Sequence, residues 1–355
     1  MSDELQNLRA AIDAIDTEML KLLNARAEKA QAIGRLKKGI AYRADRESQV
    51  LRRIKELNPG PLSGEAAALL FREIMSACLA LEKPLTVAYL GPTGTFSQAA
   101  AVKQFGHAAQ ATPQPSIDTV FRATEAGEAD FCVVPVENST EGAIGRSLDL
   151  LTQSPLRICG EVLLRIHHHL LSKEEIALGK ITKVYSHSQS LAQCHEWLNA
   201  NLTQAQRIPV ASNAEAARLA ATEPGAAAIA GEMAAEQYNL IALAKNIEDE
   251  PNNTTRFLVL GKEDAAASGK DKTSLVLSTK NRPGAVHDLL TPLAQNGVSM
   301  TKFESRPSRS AVWEYVFFID IEGHRDDAIV IKTIDELKQR TSFMKVLGSY
   351  PVAVL

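Results

Sequence analysis

The 355-residue sequence is poor in aromatic residues, at 5%, and its four cysteines, Cys78, Cys132, Cys159 and Cys194, form no CxxC pair. So sparse and scattered a set excludes a disulfide scaffold and a thiolate zinc site, and points to reduced thiols in a reducing compartment. No run of about 18 apolar residues occurs, and the opening MSDELQNLRA lacks the apolar stretch of a secretory signal. A cytoplasmic protein without a membrane partner is expected. The 39 basic and 42 acidic residues are mixed along the chain and leave a formal charge of −3, so no basic face is offered to nucleic acid. GxGxxG and the P-loop lysine are both missing, which removes the sequence signals for a dinucleotide or nucleotide cofactor.

What is present is 45% hydrophobic residues, more than one core can use, since single cores rarely grow past about 250 to 300 residues. From Leu5 the apolar positions Leu8, Ile12, Ile15, Met19 and Leu22 alternate by three and four, the mark of a long helix with one packed seam. Arg26 and Lys29 continue that seam before it turns apolar again at Ile33, Leu36 and Ile40. An unpaired buried charge costs several kcal/mol, so an anion is expected at Arg26, either a partner-helix carboxylate or a ligand. A second helix opens near Asp45 with Glu47 on its apolar face. A third follows Pro61 with Ser63 as its cap, and carries Phe71, Ile74, Cys78 and Glu82 on one stripe, Glu82 in its last turn. Arg9 and Arg26 are 17 residues apart, roughly 25 Å along a helix and too far for one small ligand. Arg26 and Lys37 share a face about three turns apart. An antiparallel dimer, each helix giving Arg9 to one pocket and Arg26 with Lys37 to the other, satisfies both spacings.

The segment LRAAIDAIDTEMLKLLNARAEKAQAIGRLK, with YRADRESQVL and FREIMSACLALE, resembles the all-helical chorismate mutases over residues 1–83. The resemblance implies that Arg9, Arg26 and Lys37 bind the carboxylates and ether oxygen of chorismate. It also implies Glu47 at the substrate hydroxyl and Cys78 and Glu82 as further pocket residues. Arg43 is a candidate substrate contact, although Arg43, Ala44 and Asp45 depart from the family's usual arginine-proline pattern. A [3,3] rearrangement needs no cofactor or nucleophile, only a compact conformer and charge stabilisation. Lys37 and the protonated form of Glu82 are the candidate donors to the ether oxygen as the C–O bond breaks.

Beyond Pro84 the pattern becomes strand, turn and helix, with TVAYL, GPTGTFS and QAAAVKQF in succession, then DFCVVPV ending in ENSTEG. Polar loops that follow short apolar strands are where ligands bind in open α/β sheets, and the alternation predicts a doubly wound, two-lobed domain. His167, His168 and His169 are adjacent, but on a strand His168 points away from the other two, and no metal site is expected. The ordered set GPTGTFS, PVENSTEG, SHSQSLAQC and NTTRF resembles prephenate dehydratase over residues 84–262. That resemblance implies Thr255 as the essential hydroxyl and Glu137, Asn138 and Gln193 as catalytic residues, with Ser97, Ser186, His187 and Arg256 as substrate contacts. Thr255 is expected to assist the departing hydroxide, with Glu137 or a water as the proton source, and no cofactor is needed.

Residues 263–271 read as a polar linker. From residue 272 to 355 the pattern is βαββαβ and, with NRPGAV and ESRPSRS, resembles the ACT domains that bind amino acids. Asn281, Gly284, Ala285, Glu304, Ser305 and Arg306 are then candidate effector contacts, and phenylalanine the implied feedback inhibitor. Removal of residues beyond Lys262 is expected to abolish that inhibition and to spare catalysis. Together the three resemblances imply a homodimeric or tetrameric chorismate mutase and prephenate dehydratase in one chain, acting in phenylalanine biosynthesis. The alternatives are a non-enzymatic metabolite sensor of the same modules and a mutase fused to a dehydrogenase, the latter disfavoured by the missing GxGxxG.

Overall fold

The computed structural model describes residues 3–36, 42–279, 282–307 and 315–355. Lys37 and Asn281, both candidate site residues, lie outside these. Three helices come first: α1 (Asp3–Leu36), α2 (Ala44–Leu57) and α3 (Gly64–Ala80). Ser63 caps α3 by accepting a hydrogen bond from the Ala66 amide, as its position predicts. Glu82 was expected in the last turn of that helix and instead follows its end, in a turn. The C-terminal half of α1 packs on α3, whereas the stripe Leu8, Ile12, Ile15, Met19 and Leu22 is 52–62% exposed.

The central region begins with β1 (Thr86–Leu90), α4 (Phe96–Phe105), β2 (Gln110–Gln114), α5 (Ile117–Ala126) and β3 (Phe131–Asn138). It continues through β4 (Gly142–Ala143), α6 (Gly145–Gln153) and β5 (Arg157–Arg165). The chain then crosses to a second lobe built from β6 (His169–Ser172), β7 (Lys183–His187), α7 (Ser188–Gln193), α8 (His195–Asn201) and β8 (Gln206–Val210). That lobe closes with α9 (Asn213–Ala220), β9 (Ala226–Ala230), α10 (Glu232–Tyr238) and β10 (Ile241–Ala244), and the chain returns to the first lobe as β11 (Thr254–Gly261). The first sheet has the order β2-β1-β3-β11-β5 with β4 on β3, and the second β10-β6-β9-β7-β8. The two crossing segments bond to each other, Ile166 N to Asn253 O at 2.8 Å and Ile247 N to His168 O at 2.9 Å. They form the floor between the lobes.

The final module comprises β12 (Asp271–Ser278), α11 (Ala285–Asn296), β13 (Met300–Pro307), β14 (Tyr315–Glu322), α12 (Ala328–Arg340) and β15 (Phe343–Pro351), its sheet ordered β13-β14-β12-β15. Leu275, Val276 and Leu277 are consecutive, apolar and fully buried because both faces of this sheet are covered. Leu275, Leu277, Phe317 and Ile319 face α11 and α12, while Val276, Phe318, Leu347 and Tyr350 share a core with Leu148, Leu151, Ile158 and Leu258 of the central region. A Cβ on Gly348 would stand 2.2 Å from the Ile158 carbonyl, so only glycine lets β15 approach β5 this closely.

The helical module is joined to the centre as well. Tyr42 is 7% exposed and packs against Phe105 and Phe131 at 5.0 and 5.2 Å between ring centroids. The segment 263–271, expected as a polar linker between modules, is pinned: Ser268 is buried and accepts from Arg52 of α2 at 2.7 Å. These shared cores argue against the expectation that residues after Lys262 can be removed without ending catalysis. Its loss would expose core side chains of the first sheet and take Asp320 and Tyr350 from Arg256 and Lys272 from Glu161, leaving the two only each other. A fragment of residues 1–262 is therefore expected to be insoluble or to show no cooperative thermal transition by circular dichroism. A soluble fragment with full-length turnover would contradict this packing.

Candidate active sites

A cleft of about 1000 Å³ opens between the two lobes of the central region. Its walls come from loops after β1, β3, β7 and β8, at the strand ends where doubly wound sheets bind ligands. Of the residues singled out from sequence, Ser97, Asn138, His187, Gln193 and Thr255 line it. Sequence reasoning missed Glu141, His168, Asn213 and Asn253, which line it too. Period-two alternation had already set His168 apart from its neighbours; Glu141 and Asn253 lie within quoted motifs but in loops, where no periodicity tells direction, and Asn213 is the first residue of α9.

The polar groups of the cleft form one hydrogen-bond chain with a definite direction. Asn138 Oδ1 accepts the backbone N–H groups of Thr140 and Glu141, each at 3.0 Å, which assigns its amide orientation. Its Nδ2 therefore donates, to Thr255 Oγ1 at 2.9 Å and to Asn253 Oδ1 at 2.7 Å. Asn253 Nδ2 then donates to Gln193 Oε1 at 3.2 Å, an oxygen that His168 Nε2 also reaches at 3.0 Å. Because Thr255 already accepts from Asn138, its own proton is available to the cleft. Strand register reinforces this pairing, since Thr255 lies opposite Asn138 across β11 and β3.

Three expected cleft residues are corrected. Glu137 does not face the cleft: strand alternation turns it to the opposite face from Asn138, where it pairs with Lys302 of β13 at 2.5 Å. For the same reason Arg256 faces away from Thr255. It is bound to Glu161 at 2.9 Å, Asp320 at 2.5 Å and Tyr350 at 2.8 Å. Burial opposes charge on Arg256, yet Tyr350, Asp320 and Glu161 together hold its pKa above the ordinary arginine range. Ser186 is fully buried and holds Asn213 Oδ1 at 3.0 Å and the Ile229 carbonyl at 2.8 Å, so it supports the wall from behind. The carboxylates that line the cleft among the described residues are Glu141 and Glu215.

In the helical module Arg26 meets Cys78, Nη1 to Sγ at 3.1 Å, rather than an acid. Glu82 lies against α1 on the same side: a Cβ on Gly34 would be 2.1 Å from its carboxyl carbon, so glycine makes the room it occupies. Arg26, Cys78 and Glu82 thus share the seam between α1 and α3. Glu47 is a correction, because its carboxylate pairs with Arg72 Nε at 2.6 Å, and Arg72 also donates to the carbonyls of Lys103 and Gln104. Burial raises the Glu47 pKa while Arg72 opposes the shift. Arg72 and Cys78 are six positions apart on α3, about 240° around the helix, so Glu47 serves the contact with the central region. Arg43 is folded back on Asp45 through two hydrogen bonds of 3.0 and 3.1 Å.

In the C-terminal module Gly284 and Ala285 form the start of α11, Gly284 in the left-handed region at φ 79°. Glu304, Ser305 and Arg306 lie on β13, an edge strand. Arg306 differs from expectation: its guanidinium reaches Asp149 of α6 at 3.6 Å, across the contact with the central region.

Burial holds His168 and His169 below the ordinary imidazole pKa of 6.5. The unfolded chain takes up protons at higher pH than the folded one, so this stability is complete above pH 6.5 and is lost as pH falls through the folded value. The melting temperature is expected to fall on acidification below that point, and His168→Gln to flatten part of the fall. An identical profile in the variant would rule His168 out as a source.

Residues 8–83 match the family model for chorismate mutase type II, residues 87–265 that for prephenate dehydratase, and residues 273–339 that for the ACT domain. A bifunctional chorismate mutase/prephenate dehydratase of Neisseria gonorrhoeae is 60% identical over 350 residues, covering 98% of this chain and 97% of the relative. One of Stutzerimonas stutzeri is 51% identical over 362 residues, covering 100% and 99%. Among solved structures, prephenate dehydratase of Arthrobacter aurescens in complex with L-Phe superposes with a TM-score of 0.69 at 34% identity, over 75% of this chain and 90% of that one. With mutase, dehydratase and ACT modules matched in one chain, and relatives this similar along its whole length, the chain belongs to the bifunctional chorismate mutase/prephenate dehydratase family.

Proposed function

We propose that the protein carries out two consecutive reactions, rearranging chorismate to prephenate in the helical module and converting prephenate to phenylpyruvate in the α/β cleft, under feedback by phenylalanine at the ACT module. The observation that carries the second step is the directed hydrogen-bond chain that ends on Thr255 with its proton free for a ligand. In that step the ring carbon loses CO₂, the C–C bonding electrons aromatise the ring, and the 4-hydroxyl leaves and is protonated to water. Thr255 stabilises the departing oxygen, and Asn138, Asn253 and Gln193 hold the hydroxyl in place. Glu137 faces Lys302 outside the cleft, so the proton comes from water or from a group within it. A non-enzymatic sensor would leave this aimed hydroxyl without a task.

For the first step the exposed stripe of α1 supports an antiparallel dimer in which Arg9 enters the partner's pocket beside Arg26, Cys78 and Glu82. Lys37 belongs to the same proposed site. We place the module boundaries at residues 83 and 262, with 263–271 as the connecting segment. Four free, buried cysteines suit the cytoplasm, and no described helix is long and apolar enough to cross a membrane.

Two experiments test these readings. Thr255→Val should lower dehydratase kcat by about 10²- to 10³-fold, the cost of one lost transition-state donor, and leave chorismate turnover to prephenate unchanged; loss of both activities in a folded variant would contradict separate sites. Arg9→Ala and Arg26→Ala should each lack mutase activity, while an equimolar mixture refolded together should recover about a quarter of wild-type turnover, because half the dimers are mixed and each holds one intact site. No recovery in the mixture would mean that both arginines come from one chain.

A further inference from the structure

The two strands that carry Asn138 and Thr255 are gripped from behind by the C-terminal module. Thr255 and Asn138 are opposite each other on β11 and β3, and so are the next pair, Arg256 and Glu137. Each member of that second pair reaches across to the sheet of the C-terminal module. Glu137 accepts from Lys302 at 2.5 Å, a lysine whose side chain is 11% exposed. Arg256 donates to Asp320 at 2.5 Å, and Asp320 is fixed in turn by Ser274 at 2.5 Å. Glu161, with a fully buried side chain, binds Arg256 at 2.9 Å and Lys272 at 2.9 Å. A regular ladder is interrupted here, because the register of β11 on β3 shifts between Arg256 and Phe257. On their outer sides β11 keeps its register with β5 from Thr254 to Val259 and β3 pairs with β4, but between β3 and β11 the ladder beneath the catalytic pair is broken, and there both strands carry charged contacts to another module.

We propose that Lys302, with Asp320, is a positioning residue of the dehydratase reaction: through Glu137 and Arg256 the C-terminal sheet sets the spacing of Asn138 and Thr255. Lys302 reaches no atom of the cleft; it acts by holding the backbone of β3 one residue before Asn138. A small displacement suffices, because a misplacement near 1 Å of an aligned catalytic group costs about 10²-fold in rate. The proposal rests on reading Asn138 and Thr255 as dehydratase residues. It also gives any ligand that shifts β13 a direct route to the cleft.

The test uses the full-length protein, with mutase turnover as an internal control and hydrogen exchange of the peptide around residues 137–141 as a readout independent of catalysis. Lys302→Met is expected to lower dehydratase kcat by about 10- to 100-fold with little change in KM, to speed exchange in that peptide, and to leave mutase kcat intact; Lys302→Arg should retain most of the rate. Glu137→Gln should match Lys302→Met, and the double variant should be no worse than either. Wild-type kcat and exchange in Lys302→Met would overturn the proposal, as would a loss of rate in Glu137→Gln alone, which would assign Glu137 to the chemistry. If exchange responds as expected while Thr255→Val keeps its dehydratase activity, the reading of the site has failed and the mechanical link stands.

Discussion

Adjacent residues of a β-strand point to opposite faces, and on β11 those faces serve different modules. Thr255 looks into the cleft, and Arg256 looks into a buried cluster with Glu161, Asp320 and Tyr350. Because a guanidinium cannot shed its charge on burial, the cluster must supply enough anionic and hydroxyl oxygen to hold it. Glu161 and Asp320 do so from β5 and β14, so the first sheet and the C-terminal sheet have to meet face to face. The cleft, the shared core and the placement of β13 all follow from that meeting.

The modules are consequently less separate than their sequence signatures. Tyr42 of the helical module completes an aromatic cluster with Phe105 and Phe131, and Val276, Phe318 and Leu347 complete the core beneath α5 and α6. Such shared cores stabilise each module by apolar area that neither side could bury alone. By contrast, the apolar stripe of α1 from Leu8 to Leu22 stays more than half exposed in the protomer.

Much of the site was legible because the motifs are local. GPTGTFS, PVENSTEG and SHSQSLAQC each end a strand or open a helix, NTTRF opens β11, and Ser97, Asn138, Gln193 and Thr255 all reach the cleft. What was misread were neighbours in the same motifs. Glu137 and Arg256 sit one residue from Asn138 and Thr255, and a motif treated as a unit hides the alternation that sends them elsewhere. Glu47 failed for the helical counterpart of that reason: an apolar face says that a side chain is buried, and cannot say which partner buries it. Glu141 and Asn253 had no periodicity to reveal them, being in loops.

By itself the sequence determined the elements and their order, through seam spacing in α1, a capping serine before α3, strand-turn-helix alternation and the βαββαβ pattern, all of which depend on residues close in the chain. It also determined the chemistry on offer, a hydroxyl and amides without a cofactor signature. Only the tertiary structure decided which side of each strand meets the cleft and which meets another module. Those choices depend on charged partners more than 60 positions away, such as Glu161 and Asp320 for Arg256 and Lys302 for Glu137, and no local pattern encodes a contact at that distance.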